Sequence, residues 1–454
     1  MSDMKDLGEG LICRWSTQAD QEKIGYLLGT AFRDSEDEPP NPRMMDQARL
    51  LMSPNFPFMG PEDFAVVEDT SQPDRPIVAC TCLWRHTWSY AGIEFGVGRP
   101  EFVGADAAYR NRGLVRELFD LVHRRSAAEG HLVQAITGIP YFYRQFGYEY
   151  VLDLEGERTT YLSLIPVKKP DEVEHYHLRL ATIDDVPHLM ALYNQGRNTS
   201  LVWHEADEAF WRHELSCWDD PVIQERAVTT TALHKRPYMI VDTDGRVCGY
   251  SWLATRRRGR GFQVTDFQLY PGINWQAAMP NLLRCLRDQA MQTPTVMPET
   301  EPLSEINFAL GRAHRLYTAL GEALAPRFEP PYAWYLRVPD VPAFLQRITP
   351  ILEARLAKSV LTGYTGELKF DFYRGGLRLQ FEQGKVSAIE PWRAPTYGDN
   401  ANGGCPPLVF LQLLFGYRSL AELRAIYPDV WVSQSATLLV NTLFPAQPSA
   451  VHPL

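Results

Sequence analysis

Two stretches of this chain carry the same pattern, and that repetition restricts the fold more than any other feature. Arg14-Trp15-Ser16-Thr17 stands ahead of Asp20 and of apolar Ile24, Leu27 and Leu28; Arg179-Leu180-Ala181-Thr182 stands ahead of Asp185 and of apolar Leu189 and Leu192. Each stretch reads as a short strand, a Thr or Asp able to cap a helix, and a helix with one apolar face. The next elements repeat as well. Alternating runs at 64–68 and 77–84 predict a β-hairpin, and so do 238–241 and 247–253 around Asp244-Gly245. Repetition on this scale predicts two copies of one α/β unit.

A chain of 454 residues exceeds what one hydrophobic core organises. The first copy is expected over 1–165 and the second over 176–339, joined by a linker containing Pro166 and Pro170. Residues 340–454 have a different rhythm. A helix is predicted over 341–356, then a glycine-punctuated β-meander at 366–373, 376–382 and 384–389, then apolar helices at 407–415, 419–426 and 435–443. This reads as a third, α+β domain.

Composition narrows the function. The formal net charge of −10 argues against a nucleic-acid surface, which would need a basic face. No apolar run approaches the ~20 residues of a membrane span, and the start MSDMKDLGEG lacks the apolar stretch of a signal peptide. The seven cysteines form no C-x-x-C pair and the histidines show no metal spacing, so reduced thiols, a cytoplasmic setting and no metal are expected.

The chemistry gathers at one loop. The strand ending Val103-Gly104-Ala105 leads into Tyr109-Arg110-Asn111-Arg112-Gly113-Leu114-Val115-Arg116, and Leu118, Leu121 and Val122 follow at helical spacing. The order strand, Arg/Gly turn, helix aims free backbone N–H groups and the positive end of a helix dipole at one point, as a pyrophosphate requires. Gly113 lets the backbone approach closely, and Arg110, Arg112 and Arg116 add positive charge. A second arginine run, Arg256-Arg257-Arg258-Gly259-Arg260-Gly261, precedes an alternating strand instead of a helix and reads as a hairpin turn. The second copy's counterpart of the loop, Leu269-Tyr270-Pro271-Gly272-Ile273-Asn274, carries no arginine, so cofactor binding is expected in the first copy alone.

Arg110-x-x-Gly113 between a strand and a helix resembles the acetyl-CoA motif of the GCN5-related N-acetyltransferases. Together with Tyr143-Arg144-Gln145-Phe146-Gly147-Tyr148, it is similar to the Eis (enhanced intracellular survival) family. That resemblance implies tandem acetyltransferase folds, a C-terminal domain like a sterol carrier protein, and a homo-oligomer, hexameric in the family. It also implies acetyl transfer from acetyl-CoA to a primary amine of an aminoglycoside-, polyamine- or lysine-like acceptor, a small molecule or peptide. The sequence departs from the wider superfamily at Val115, where Gly or Ala is usual.

Acetyl transfer needs a polarised carbonyl, a deprotonated amine and a proton for the departing thiolate. The backbone N–H groups of Val103, Gly104 and Ala105 are the carbonyl donors. Tyr141, Tyr143 and Tyr148 are aromatic candidates that core packing would equally explain, and the resemblance selects Tyr143 as the acid. It also implies that the α-carboxylate of Leu454 is the base. The acidic run 34–38 lies where an acceptor cleft is expected, though a solvated loop accounts for it too. Two other readings stay open: a longer-chain acyltransferase, and a non-catalytic CoA- or lipid-binding scaffold.

Overall fold

In a computed structural model describing residues 4–228, 230–296, 301–396, 400–449 and 451, the repeat is visible atom by atom. Arg14 clasps the Asp20 carboxylate through both guanidinium nitrogens at 2.8 and 2.9 Å, and Arg179 clasps Asp185 at 2.7 and 2.7 Å. The same carboxylates accept the backbone N–H of Thr17 and of Thr182, each at 2.8 Å. Thr and Asp thus close a reciprocal capping box on a single turn, Gln18–Asp20 or Ile183–Asp185, that leads into the helix Gln21–Ala31 or Val186–Tyr193.

The strands form three sheets. The first runs Lys5–Gly8, Leu11–Trp15, Phe64–Asp69, Ile77–Tyr90, Ile93–Ala105, Val133–Ile136, Tyr332–Arg337 and Glu149–Leu154, with Val202–His204 added along Ile77–Tyr90. The second runs Arg327–Glu329, Glu157–Tyr161, Glu305–Phe308, Gly261–Leu269, Val247–Ala254, Lys235–Asp242 and Tyr176–Leu180. The two copies have therefore exchanged a strand. Tyr332–Arg337, from the end of the second copy, fills the gap between Val133–Ile136 and Glu149–Leu154 of the first. Glu157–Tyr161, from the end of the first, lies between Glu305–Phe308 and Arg327–Glu329. Consequently 1–165 and 176–339 are segments of sequence whose sheets interlock. Their cores also meet: Ile24, Leu28 and Trp84 share one buried cluster with Leu189, Trp211 and Trp252.

The third sheet, Lys385–Pro391, Gly376–Glu382, Gly366–Asp371, Gly403–Gly404 and Trp431–Val432, contains the expected meander. The single helix expected over 341–356 is two, Val341–Arg347 and Thr349–Ala357. Pro350 lies in the first turn of the second, where its missing N–H and fixed φ suit a helix start and not a helix interior. This last part shares a core with the first sheet, in which Tyr90 donates its hydroxyl to the Leu414 carbonyl at 2.8 Å. No described helix is long and apolar enough to cross a membrane.

Candidate active site

The strands Ile93–Ala105 and Val133–Ile136 run parallel but pair only at Val97 with Val133 and Gly98 with Gln134. Beyond Gly98 they part. A bulge lies in the parted section, where the register jumps from Cys80 opposite Gly104 to Cys82 opposite Glu101. Phe102 there has φ +53°, a left-handed value uncommon for a bulky residue. A bulge re-aims backbone groups that a regular ladder would consume. Past the bulge, Gly104 pairs with Cys80 and Ala105 with Ala79, and a Cβ on Gly104 would meet Leu28 and Ala31 at 3.5 Å; of this strand Arg99, Glu101 and Phe102 reach the cavity described below, and Val103, Gly104 and Ala105 do not.

The arginine loop follows at once. Asn111 at φ +64° and Gly113 at φ +77° are left-handed, with Arg112 between them, and a Cβ at Gly113 would meet nothing within 4 Å. Gly113 is the N-cap of the helix Leu114–Ala128 and supplies no capping side chain; the Arg116 N–H bonds the Gly113 carbonyl at 3.0 Å, and those of Leu114 and Val115 have no side-chain cap. In the second copy, by contrast, the Asn274 side chain accepts the Ala277 N–H at 3.1 Å and caps the helix Trp275–Gln292 itself. Backbone concavity, free helix terminus and Arg110, Arg112 and Arg116, all exposed, coincide in the first copy only. These features fit a pyrophosphate.

Tyr143 sits in the single turn Phe142–Phe146, directly behind the loop. It is buried against Phe119 of the loop's helix, with centroids 5.7 Å apart, and against Tyr335 of the exchanged strand at 5.5 Å. Val103 and Val115 pack into the same cluster, which gives a reason for the bulkier Val115: its side chain helps wall in Tyr143. The Tyr143 hydroxyl has no hydrogen-bond partner among the described residues. Burial, reinforced by Glu101, pushes its pKa well above the usual tyrosine value, so it stays a protonated donor. Tyr317 of the second copy, which stands ahead of Leu320-Gly321 as Tyr143 stands ahead of Phe146-Gly147, differs. That hydroxyl donates to the Phe308 carbonyl at 2.6 Å and accepts the Leu310 N–H at 3.1 Å, so it is a structural tie.

Beside the parted strands lies a cavity of about 410 Å³ bounded by all three parts of the chain. Its aromatic walls include Phe58, Trp84, Phe102, Phe210, Trp211 and Trp252. Five carboxylates line it, those of Glu101, Asp153, Glu155, Glu214 and Asp266, against the cations Arg99 and Lys235. Arg99 is buried between the rings of Trp84 and Trp334, 4.8 Å from each, and donates to Glu101 at 2.8 Å. Asp153 is held by Arg312 at 2.8 Å. Desolvation pushes Glu214 up to about 7, opposed by nearby Lys235, whose own pKa is lowered by burial.

The chain's tail reaches this cavity. Leu201 N–H donates to the Pro448 carbonyl at 3.0 Å, and Val202 N–H donates to the Ser449 hydroxyl at 3.1 Å. The Trp334 indole then donates to the Val451 carbonyl at 3.0 Å, and Val451 is buried in the cavity wall. Leu454, the expected base, lies outside the described residues. The acidic run 34–38 is an exposed turn and contributes nothing to the cavity lining. The sequence did not single out Arg99, Glu101, Glu214 or Trp334 as site residues. No local spacing joins them, because they meet only through strand exchange and packing between the copies.

No curated protein sequence matches this chain. Solved structures of the same fold span nearly its whole length. A GCN5-related N-acetyltransferase from Anabaena variabilis is 15% identical, with 97% of this chain and 99% of that one covered and a TM-score of 0.65. A probable N-acyltransferase from Enterococcus faecalis is 13% identical, with 97% and 98% covered and a TM-score of 0.66. Eis1 from Mycobacterium abscessus is 14% identical, with 97% and 99% covered and a TM-score of 0.58. Residues 13–151, which hold the bulged strand, the arginine loop and Tyr143, match the family model described as Acetyltransferase (GNAT) domain, and the chain thus carries a GNAT acetyltransferase domain within a tandem GNAT-like fold.

Proposed function

We propose that this chain is an acetyl-CoA-dependent N-acetyltransferase that transfers acetyl directly to a primary amine bound in the cavity between its two copies. The observation that carries the reading is the asymmetry between the copies. Only the first combines parted strands, an uncapped arginine-flanked helix start, and a buried tyrosine whose hydroxyl serves no structural bond.

Acetyl-CoA, when bound, supplies the acetyl thioester. Arg110, Arg112, Arg116 and the N–H groups opening the helix would hold its phosphates, and the backbone N–H groups of Val103–Ala105 would be the donors toward its acetyl carbonyl. The carboxylates around the cavity favour an ammonium over a neutral or anionic group, which supports a cationic amine of polyamine, aminoglycoside or lysine type. Tyr143 returns a proton to the leaving sulfur.

For the base, the resemblance implies the Leu454 carboxylate. Support comes from Val451, buried in the cavity wall three residues earlier, since three residues span at most about 10 Å. The C-terminal part acts in this reading as the support that delivers the tail; its likeness to a sterol carrier domain, and an oligomeric assembly, belong to the same proposal. A panel of amines with acetyl-CoA, followed by release of free thiol, tests the function. Thiol release that no amine accelerates over buffer would reject it.

A further inference from the structure

The acidic cavity lies beside a second space of opposite charge. His234, Lys235, Gln263 and Thr265 line both, so the two adjoin. The second space has a volume of about 580 Å³ and is walled by the arginine-rich turn between Val247–Ala254 and Gly261–Leu269, together with Arg43. Among the described residues six cations line it against two carboxylates, Glu301 and Glu305. Glu305 is already engaged by Arg260 at 3.4 Å, and Arg257 turns back onto the Gly259 carbonyl at 2.7 Å.

That leaves Arg43, Arg256 and Arg258 facing one another. The side chains of Arg43 and Arg258 make no hydrogen bond or ion pair among the described residues, and Arg256 is braced by the carbonyls of Val228 at 3.1 Å and Thr231 at 2.5 Å. The crowding is energetic as well as geometric. Burial and the charges of Arg43 and Arg258 bring the Arg256 pKa down to about 10, while Arg43 is lowered by burial and by Arg258, with exposed Asp34 only partly opposing. Clustered guanidinium groups around an open volume are stabilised by a multivalent oxyanion, whose geometry they match.

We propose that Arg43, Arg256 and Arg258 form a phosphate-binding site at the far end of the acceptor cavity, and that the acceptor is a primary amine carrying a phosphate group. The acceptor half of this inference rests on the acetyl-transfer reading; the phosphate site stands without it. The cleft is bipolar: ammonium at the carboxylates beside the parted strands, phosphate at the arginines. An acceptor of this class would be fixed at both ends, with its amine aimed at the thioester.

The probe is inorganic pyrophosphate, titrated calorimetrically into the full chain after saturation with CoA, so that the loop at Arg110–Arg116 is already occupied. Wild type should bind it. Arg258→Gln and Arg43→Gln, both free of structural bonds, should each weaken binding about fivefold or more, and the double variant still further. No binding to wild type, or unchanged affinity in the folded double variant, overturns the site. The second arm compares two amines of equal length, one ending in phosphate and one in hydroxyl. Wild type should favour the phosphate amine in kcat/KM, and the double variant should lose that preference. Equal use of both amines by wild type overturns the acceptor assignment. Pyrophosphate binding without acetylation of any amine upholds the phosphate site and rejects acetyl transfer.

Discussion

Tyr143 and Tyr317 occupy corresponding positions in the two copies, yet the structure gives their hydroxyls opposite duties, so removing each should have opposite consequences. In Tyr317→Phe, the buried Leu310 N–H and the Phe308 carbonyl each lose a partner. Leaving a buried polar group unsatisfied costs about 1–3 kcal/mol, and this variant should melt lower by that order with turnover intact. In Tyr143→Phe, no protein hydrogen bond is lost, so stability should stay within about 0.5 kcal/mol of wild type. Its turnover, however, loses a proton donor, an effect of about 10²-fold or more, or roughly 2.7 kcal/mol of barrier at 1.36 kcal/mol per tenfold. Chemical denaturation and steady-state thiol release on the two variants make the comparison. A Tyr143→Phe protein that is destabilised like Tyr317→Phe and turns over at the wild-type rate would refute the assignment of the acid and return Tyr143 to the core.

Calorimetry with acetyl-CoA should give one site per chain, and Arg112→Ala should weaken it by about 1–3 kcal/mol; a stoichiometry of two would contradict the asymmetry between copies. Glu214 carries a pKa raised to about 7 from an ordinary 4.5, so its contribution to stability is present below pH 4.5 and lost as pH rises through 7. The Glu214→Gln protein should therefore hold its stability across that window where wild type declines, and parallel curves from denaturation at several pH values would count against it. A tag appended after Leu454, or amidation of its carboxylate, should suppress turnover while leaving acetyl-CoA affinity unchanged, and full activity in a tagged, folded protein would remove the chain-end carboxylate from the mechanism.

Local pattern was enough to place most elements. The paired Arg, Thr and Asp signals marked two copies because capping and helical periodicity act within a few residues, and both copies show the same carboxylate clasp. The arginine loop was legible for the same reason: a strand, a left-handed turn and a helix start are contiguous in sequence. The Arg256–Gly261 run was likewise separable from it, because a strand follows where a helix would have to begin. Pro350 split a helix that apolar spacing alone had joined, a case of backbone chemistry overriding periodicity.

What tertiary structure decided was everything that depends on distant segments meeting. Nothing in 332–337 announces that it will complete the first sheet, since a strand's partner is chosen by competition among open edges. That exchange brings Trp334 onto Arg99 and gives the tail its anchor at Val451. Tyr143 and Tyr317 look alike in sequence and separate only when their hydroxyls find, or fail to find, a partner. The two-signed cleft is also a product of packing. Its carboxylates and arginines are scattered from residue 43 to residue 301, and only the fold gathers them into two adjoining spaces.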